Sequence, residues 1–222
     1  MNDVAANLSD IQARVIKSAT KWGKNPEDVT LIAVSKRQSL ERVDAALRAG
    51  QRVFGENRVQ EAQEKWPDLK KTYGNVELHL IGPLQTNKAK EAVALFDVIQ
   101  TVDRPKLAKI LAKEMKEANR SLPVFVQVNI GEEEQKSGVM PEDADAFISK
   151  CRNDYGLIVK GLMCIPPSGE QAAPYFALLG KIAERNGLDT LSMGMSGDYE
   201  IAVQFGAAYI RVGTGIFGVR ED

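Results

Sequence analysis

Short apolar runs rich in β-branched residues alternate with segments of helical periodicity along almost the whole sequence. The first run, VTLIAVS, precedes LERVDAALRAG, in which Leu40, Val43 and Leu47 recur at spacings of three and four before Gly50, a typical helix end. LAKILAKEMKEAN and EDADAFISKCRNDYG repeat the helical periodicity. The eight strand candidates are VTLIAVS from Val29, RVFGEN from Arg52, VELHLIG from Val76, DVIQTVD from Asp97, PVFVQVNI from Pro123, LIVKGLMCI from Leu157, TLSMGMS from Thr190 and AYIRVGT from Ala208.

This alternation of strands and helices predicts an α/β protein with a parallel sheet. Eight βα units of this length favour a closed TIM-type (β/α)8 barrel over an open doubly wound sheet. About ten residues follow the last predicted strand, too few for a full final helix. We expect an extra N-terminal helix, from Asn2 to about Lys24, to fill that place in the helical ring. No linker or internal repeat interrupts the pattern, so a single domain over residues 1–222 is predicted.

Composition excludes several classes of function. The 222 residues are 44% hydrophobic and 27% charged, with a formal net charge of -1, so neither nucleic acid nor an anionic membrane is favoured as a partner. The sequence has no secretion signal and no apolar run long enough to span a bilayer, which predicts a cytoplasmic protein. Cys151 and Cys164 have no metal-like spacing, and the single histidine, His79, excludes a multi-histidine site, so no metal is expected.

Lys36 directly follows the first apolar run, at the point where that strand is predicted to end. In a (β/α)8 barrel the functional residues lie at the C-terminal ends of the strands, so the position directs Lys36 towards the barrel mouth. A lysine amine beside low-dielectric walls loses its charge more readily and can condense with a carbonyl. On this observation alone, an ordinary loop lysine remains the alternative.

Small-residue turns follow the seventh and eighth strands, where barrels of this type often hold phosphate. The seventh strand ends in MGMSGD, where Ser196 and Gly197 offer a hydroxyl and backbone N–H groups. The alternative is a simple helix cap by Ser196 or Asp198. The eighth strand ends in RVGTGIFG, where Gly213 and Thr214 begin a turn that lets backbone approach an anion.

Arg211 interrupts the apolar strand YIRVG. A guanidinium is costly to bury without acceptors, so it either forms an ion pair inside the barrel, for example with Glu56, or donates to a ring nitrogen or oxygen of a ligand. A phosphate site, a Schiff-base lysine and a cation for a ring nitrogen together are the usual protein contacts of pyridoxal 5′-phosphate.

Motifs in order along the chain carry a family resemblance. AVSK, FGENRVQE, HLIGPLQTNK, GLMCIP, LSMGMSGDYEIAVQFG and RVGTGIFGVR resemble the pyridoxal phosphate homeostasis protein family, also described as proline synthetase co-transcribed homologues, from about Leu31 to Arg220. The resemblance implies a barrel like the N-terminal domain of alanine racemase, with pyridoxal 5′-phosphate on the lysine of the first motif.

Site residues are carried over from that family position by position. The resemblance implies that Lys36 forms the Schiff base, that Arg211 faces the pyridine nitrogen and that Asn57 lies near the ring. Two residues depart from the family pattern, because Leu78 stands where an aromatic residue is expected and Cys164 where a small or hydroxyl residue is expected. The residues expected to contact the phosphate are Ser196, Gly197, Gly213 and Thr214.

Storage, buffering or delivery of the cofactor without catalysis is the predicted function. Racemisation needs acid–base groups on both faces of the cofactor adduct, and Lys36 would supply only one. The related racemases supply the other with a tyrosine from a separate β domain of the neighbouring subunit. We expect this sequence, which ends at Asp222, to lack that domain, and neither Tyr199 nor Tyr209 is marked as a base.

Two enzyme hypotheses stay open beside the carrier. One is a pyridoxal-phosphate-dependent amino acid racemase with a different second base, and the other is an aldolase-like Schiff-base enzyme acting on a sugar phosphate. We expect a monomer, with pyridoxal-phosphate enzymes lacking their cofactor as recipients. Lys136, in the charged loop GEEEQKSG, is a candidate secondary aldehyde site, with a solvated loop as its alternative, and His79 is expected to be a hydrogen-bonded residue of the sheet.

Overall fold

A closed barrel of eight parallel strands forms the centre of the molecule in the computed structural model, which describes residues 3–218. Each strand pairs with the next in sequence, and the last pairs with the first through Thr30 opposite Tyr209. The predicted (β/α)8 fold is therefore confirmed. The strands are β1 Thr30–Val34, β2 Val53–Glu56, β3 Glu77–Leu80, β4 Val98–Val102, β5 Val124–Val128, β6 Val159–Cys164, β7 Thr190–Ser192 and β8 Tyr209–Val212.

Helices alternate with these strands and cover the barrel. Two 3₁₀ turns, Pro26–Asp28 and Thr86–Lys88, lie in the connections. The main hydrophobic core lies between the sheet and the helices. The helices are α1 Val4–Lys21, α2 Leu40–Arg48, α3 Val59–Tyr73, α4 Ala89–Leu95, α5 Pro105–Glu117, α6 Ala144–Asn153, α7 Ala173–Arg185, α8 Tyr199–Gln204 and α9 Thr214–Phe217.

Helix α1 closes the helical ring, as the sequence predicts. It begins at the N-cap Asp3, whose carboxylate accepts from two backbone N–H groups, and it packs against α2, α8 and α9. Its buried face includes Leu8 and Ile11. Asn7 Nδ2 donates to the carbonyl of Ile216 at 2.8 Å, which ties α1 to α9 directly. Because α9 has only four residues, α1 completes the helical ring between α8 and α2.

Several strands are shorter than the sequence predicts. Strand β1 ends at Val34, before Lys36, because the chain turns there: Gln38 N donates to the carbonyl of Ser35 at 3.1 Å and Arg37 has a φ of 58°. Strand β7 ends at Ser192, and Gly194 has a φ of 90°. These turns lie at the C-terminal end of the barrel, so the residues predicted to end these strands lie in the loops instead.

The barrel interior is part apolar and part polar. A small cluster of Val98, Phe125 and Met163, with Tyr209 packed against it, fills one portion. Four buried polar residues of the strands also lie there and bond to one another: His79, Gln100, Ser192 and Arg211. Among residues 3–218, no helix combines the length and apolarity that crossing a membrane requires.

Removing a buried side chain of α1 tests its role in closing the ring. Ile11 is 3% exposed and Ile16 is 53% exposed on the same helix. We expect Ile11→Ala to lower the free energy of unfolding by about 2–5 kcal/mol through lost packing. Ile16→Ala should change it by less than about 0.5 kcal/mol. Urea denaturation followed by circular dichroism measures both, and equal losses would contradict the placement of α1.

Candidate functional site

A pocket of about 310 Å³ opens at the C-terminal ends of the strands. The loops after β1, β2, β7 and β8 contribute to it together with the end of β8. All seven residues that the sequence analysis selected as cofactor contacts line this one pocket: Lys36, Asn57, Ser196, Gly197, Arg211, Gly213 and Thr214. Residues far apart in sequence therefore converge, as expected when strand ends meet at one barrel mouth.

Lys36 lies half-buried in the turn that follows β1. Its preceding residue, Ser35, is fully buried and keeps the strand direction by donating its backbone N–H to the carbonyl of Gly55 at 3.0 Å. The turn is held from outside as well, since the backbone N–H of Arg37 donates to a carboxylate oxygen of Glu61. The lysine thus projects into the pocket from backbone that is fixed on both sides.

A buried charged cluster stands behind this turn. Glu56 Oε1 accepts from Ser35 Oγ at 2.8 Å, from Lys65 Nζ at 3.0 Å and from Trp66 Nε1 at 3.0 Å. Lys65 Nζ also donates to the carbonyl of Ser35 at 2.8 Å. Burial raises the pKa of Glu56, and the nearby Lys65 opposes that shift. The cluster connects β1, β2 and α3 directly under the loop that carries Lys36.

The proposed ion pair between Arg211 and Glu56 is not what forms. A Cβ on Gly55 would lie 2.8 Å from Ile81 Cδ1 and 2.9 Å from Ile32 Cγ2, so Gly55 faces the barrel interior. Successive residues of a strand point to opposite faces, which turns Glu56 outwards to Lys65 on α3. An ion pair with Glu56 was one of the alternatives for Arg211 in the sequence, and the face on which Glu56 lies excludes it.

Arg211 is held inside the barrel by neutral acceptors. Its Nη1 donates to Ser192 Oγ at 2.7 Å and its Nη2 donates to the carbonyl of Cys164 at 2.8 Å. The residue is 4% exposed, and burial lowers the pKa of the guanidinium. A guanidinium carries five N–H donors, so these two hydrogen bonds orient the group and leave three N–H groups on a side chain that lines the pocket.

Two small-residue turns form the outer wall of the pocket. Ser196 Oγ accepts from the backbone N–H of Gly215 at 3.4 Å, which joins the turn after β7 to the turn after β8. A Cβ on Gly197 would meet nothing within 4 Å, so protein packing does not explain a glycine there. Among the described residues, the backbone N–H groups of Gly197 and Thr214 donate to no protein acceptor. These features provide open space and available donors for an anion.

Five residues of the pocket wall were not predicted from the sequence. Gln38 follows the turn at Lys36, and Ile81 follows β3. A neutral or apolar side chain at a strand end carries no chemical marker, so no motif selected it. The full set of missed lining residues is Val34, Gln38, Ile81, Ile165 and Met195.

A second cavity, of about 700 Å³, adjoins the first at Asn57. Three cationic side chains line it, from Arg58, Lys88 and Arg104. Lys88 pairs with Glu91 at 3.1 Å, and Arg104 donates to the carbonyl of Leu84 at 2.8 Å. The mouth of the barrel is therefore wider than the pocket around Lys36.

Four other residues considered from the sequence lie outside the pocket lining. The rings of His79 and Tyr209 pack together with centroids 5.4 Å apart in the barrel interior. Tyr199 lies under Arg14 of α1, with 5.4 Å between the guanidinium carbon and the ring centroid. Lys136 forms an ion pair with a carboxylate in its own loop, that of Glu133. Among the described lining residues, Lys36 and Arg211 are the only ionisable side chains.

Comparison with known proteins identifies relatives along the whole chain. The family model described as "Alanine racemase, N-terminal domain" matches residues 6–221. The pyridoxal phosphate homeostasis protein of Escherichia coli K12 is 37% identical over 232 residues, which cover 100% of this chain and 98% of that protein.

Two solved structures extend the comparison to the fold. PipY of Synechococcus elongatus PCC7942, solved with PLP bound, is 36% identical with a TM-score of 0.83, covering 97% of this chain and 100% of PipY. Alanine racemase of Clostridium difficile 630 is 13% identical with a TM-score of 0.75, covering 100% of this chain and 58% of the racemase. The second likeness concerns the fold alone.

Breaking the buried pair beneath the Lys36 loop should make stability depend on pH. We expect Lys65→Met to lower the free energy of unfolding by about 3–5 kcal/mol at neutral pH, because Glu56 is left as an unpaired buried carboxylate. A carboxyl whose folded pKa is raised is destabilising above its unfolded pKa, so the loss should shrink as the pH falls towards about 4.3.

Denaturant unfolding at neutral and acidic pH measures that loss. The matched control is Lys71→Met, which replaces an exposed lysine on the same helix. It should leave the free energy of unfolding nearly unchanged at both pH values. A loss in Lys65→Met that is independent of pH would contradict the role assigned to Glu56.

Proposed function

This chain belongs to the pyridoxal phosphate homeostasis protein family, within the alanine racemase N-terminal domain group, and we propose that it binds pyridoxal 5′-phosphate in the pocket around Lys36. The observation that carries the proposal is the meeting of a lysine, a buried guanidinium and two small-residue turns in one pocket. The structure of the relative PipY with PLP bound supports the choice of ligand.

Each group of residues suits one part of that cofactor. Bound pyridoxal phosphate supplies an aldehyde and an electron-withdrawing aromatic ring. Lys36 Nζ would attack the aldehyde carbon and hold it as a Schiff base, with one water molecule leaving. Arg211 would donate to the pyridine nitrogen, and Asn57 would lie beside the ring. The phosphate contacts would come from Ser196, Gly197, Gly213 and Thr214.

The features of the pocket fit this ligand. The backbone N–H groups of Gly197 and Thr214 lack protein acceptors, and the space beside Gly197 would be reduced by any side chain. The guanidinium of Arg211 donates hydrogen bonds and cannot accept them, which matches a ring nitrogen with a free lone pair. These are the features that a phosphate and an unprotonated pyridine require.

We propose a role in storing, buffering or delivering the cofactor, without catalysis, and the same lining supports it. Exchange of a proton on both faces of a substrate carbon needs two groups that accept and donate protons. Within the described lining, Lys36 can act in this way and the other ionisable group, Arg211, is a donor bound to Ser192 and Cys164. We propose a monomeric carrier whose recipients are pyridoxal-phosphate enzymes without their cofactor.

Substitution of the lysine tests the covalent attachment. Protein incubated with pyridoxal phosphate and separated from the excess should absorb in the visible range, and Lys36→Ala should lose that band. The control Lys136→Ala removes a lysine outside the pocket and should keep the band. Wild-type protein that stays colourless and retains no pyridoxal phosphate would refute the proposed function.

Turnover assays separate the carrier from the racemase. Loaded protein incubated with L-alanine and other L-amino acids should form no D-isomer above the background of free cofactor. The same preparation should restore activity to a pyridoxal-phosphate enzyme stripped of its cofactor, compared with an equal concentration of free pyridoxal phosphate. Sustained formation of D-amino acid, lost in Lys36→Ala, would favour the racemase instead.

A further inference from the structure

A continuous chain of hydrogen bonds runs through the barrel interior from Arg211 to the opposite end. Arg211 Nη1 donates to Ser192 Oγ at 2.7 Å, and Ser192 Oγ donates to Gln100 Oε1 at 2.6 Å. Gln100 Nε2 lies 2.7 Å from His79 Nδ1, and His79 Nε2 lies 2.6 Å from Glu77 Oε1. Four consecutive contacts thus connect the pocket to a carboxylate outside it.

The chain crosses the barrel lumen between strands that are not neighbours. Arg211 and Ser192 belong to β8 and β7, whereas Gln100 and His79 belong to β4 and β3. Ser192, Gln100 and His79 are fully buried, so water does not compete for these hydrogen bonds. Glu77 lies at the other end of β3 and lines a separate cavity there, with its side chain 45% exposed.

Both ends fix the direction in which the hydrogens point. Arg211 has donors only, so Ser192 Oγ must accept and its hydroxyl hydrogen is directed at Gln100 Oε1. The amide nitrogen of Gln100 then donates to His79 Nδ1, which leaves the proton of a neutral imidazole on Nε2. That N–H donates to the carboxylate of Glu77, whose pKa is lowered chiefly by this hydrogen bond.

The reversed arrangement is disfavoured at its outer end. If Gln100 were flipped, its carbonyl would require a proton on His79 Nδ1. A neutral imidazole would then present a lone pair to the Glu77 carboxylate at 2.6 Å. An imidazolium would satisfy both of its neighbours in that arrangement, but Ser192 Oγ would then accept from both Arg211 and Gln100, and its own hydrogen would lose the acceptor Gln100 Oε1. The first donor order therefore gives every member of the chain a partner, and such fully satisfied buried networks hold side chains in one conformation.

We propose that Ser192, Gln100 and His79, anchored by Glu77, are positioning residues that orient Arg211 towards the pyridine nitrogen of the cofactor. The proposal rests on the proposed function, since it assumes that a pyridine ring occupies the pocket. Within it, two neutral acceptors hold a buried cation, and one of them, Ser192, is itself held by the chain. Loss of these hydrogen bonds should leave Arg211 in the pocket wall but less well oriented towards the pyridine nitrogen.

Because the sequence has a single histidine, the donor order of the hydrogen-bond chain can be measured at His79 without any ligand. In tag-free protein labelled with ¹⁵N-histidine, long-range ¹H–¹⁵N correlation spectra contain one imidazole, which needs no assignment. The expected result is a neutral ring protonated at Nε2. Addition of pyridoxal phosphate should shift the imidazole nitrogens, although His79 does not line the pocket. A ring protonated at Nδ1 in the free protein would overturn the proposal.

Two substitutions interrupt the chain at different depths. Gln100→Met removes both central hydrogen bonds with little change in volume, and Glu77→Gln removes the terminal charge at a half-exposed site where folding is not threatened. We expect Gln100→Met to raise the dissociation constant for pyridoxal phosphate roughly three- to tenfold, and Glu77→Gln about twofold. In cofactor labelled with ¹⁵N in its ring, the pyridine resonance should move in both variants.

Matched controls separate orientation from general damage. Met163→Leu alters a fully buried neighbour in the lumen, and Lys160→Gln alters an exposed charge in the same far cavity as Glu77. Neither belongs to the chain, so both should keep the wild-type dissociation constant and pyridine resonance.

Each remaining outcome decides between the two proposals. If wild-type protein binds the cofactor and both chain variants match it in affinity and pyridine resonance, the positioning role is wrong and the proposed function stands. If the wild-type protein binds no pyridoxal phosphate, both proposals fail. If the variants differ from wild type but Met163→Leu and Lys160→Gln differ equally, the effect is not specific to the chain and the positioning role is wrong.

Discussion

Arg211 carries a charge in the barrel interior with a hydroxyl and a backbone carbonyl as its acceptors in place of a carboxylate. A buried cation without a compensating anion is costly, so its surroundings must supply oriented dipoles. Ser192 and Gln100 provide such dipoles across the lumen. On its other side, Arg211 faces the pocket, where a ligand can supply further acceptors. A ligand that brings a lone pair and a phosphate would complete this electrostatic arrangement, which ties ligand binding to the packing of the barrel itself.

The two walls of the pocket have different mechanical support. The wall that carries Lys36 rests on the buried pair of Glu56 and Lys65, which links β1, β2 and α3. The wall formed by the turns at Ser196 and Thr214 rests on α1 through the contacts of α9. The two walls of the pocket are thus held by different parts of the fold, one by a buried charged cluster and the other by helix packing.

Much of this architecture could be predicted because strand ends in a barrel converge whatever their separation in sequence. That rule alone predicts that Lys36 and the two turns lie together. It could not find the partners of Arg211, since these depend on which residues face each other across the lumen. It also left Glu56 open as an inward partner of Arg211, because a shift of one residue along a strand exchanges the inner and outer faces. Apolar lining residues such as Ile81 have no chemical marker at all.

Closure of the barrel between its first and last strands orders events in time as well as in space. Thr30 must pair with Tyr209, and α1 must pack against α9, so segments synthesised early wait for segments synthesised about 200 residues later. Contacts of such long range form slowly, because the loop entropy is lost before they are gained. A nascent chain that still lacks β8 would present Lys36 without either Arg211 or the final turn. The pocket therefore cannot be complete until β8 has left the ribosome and paired with β1.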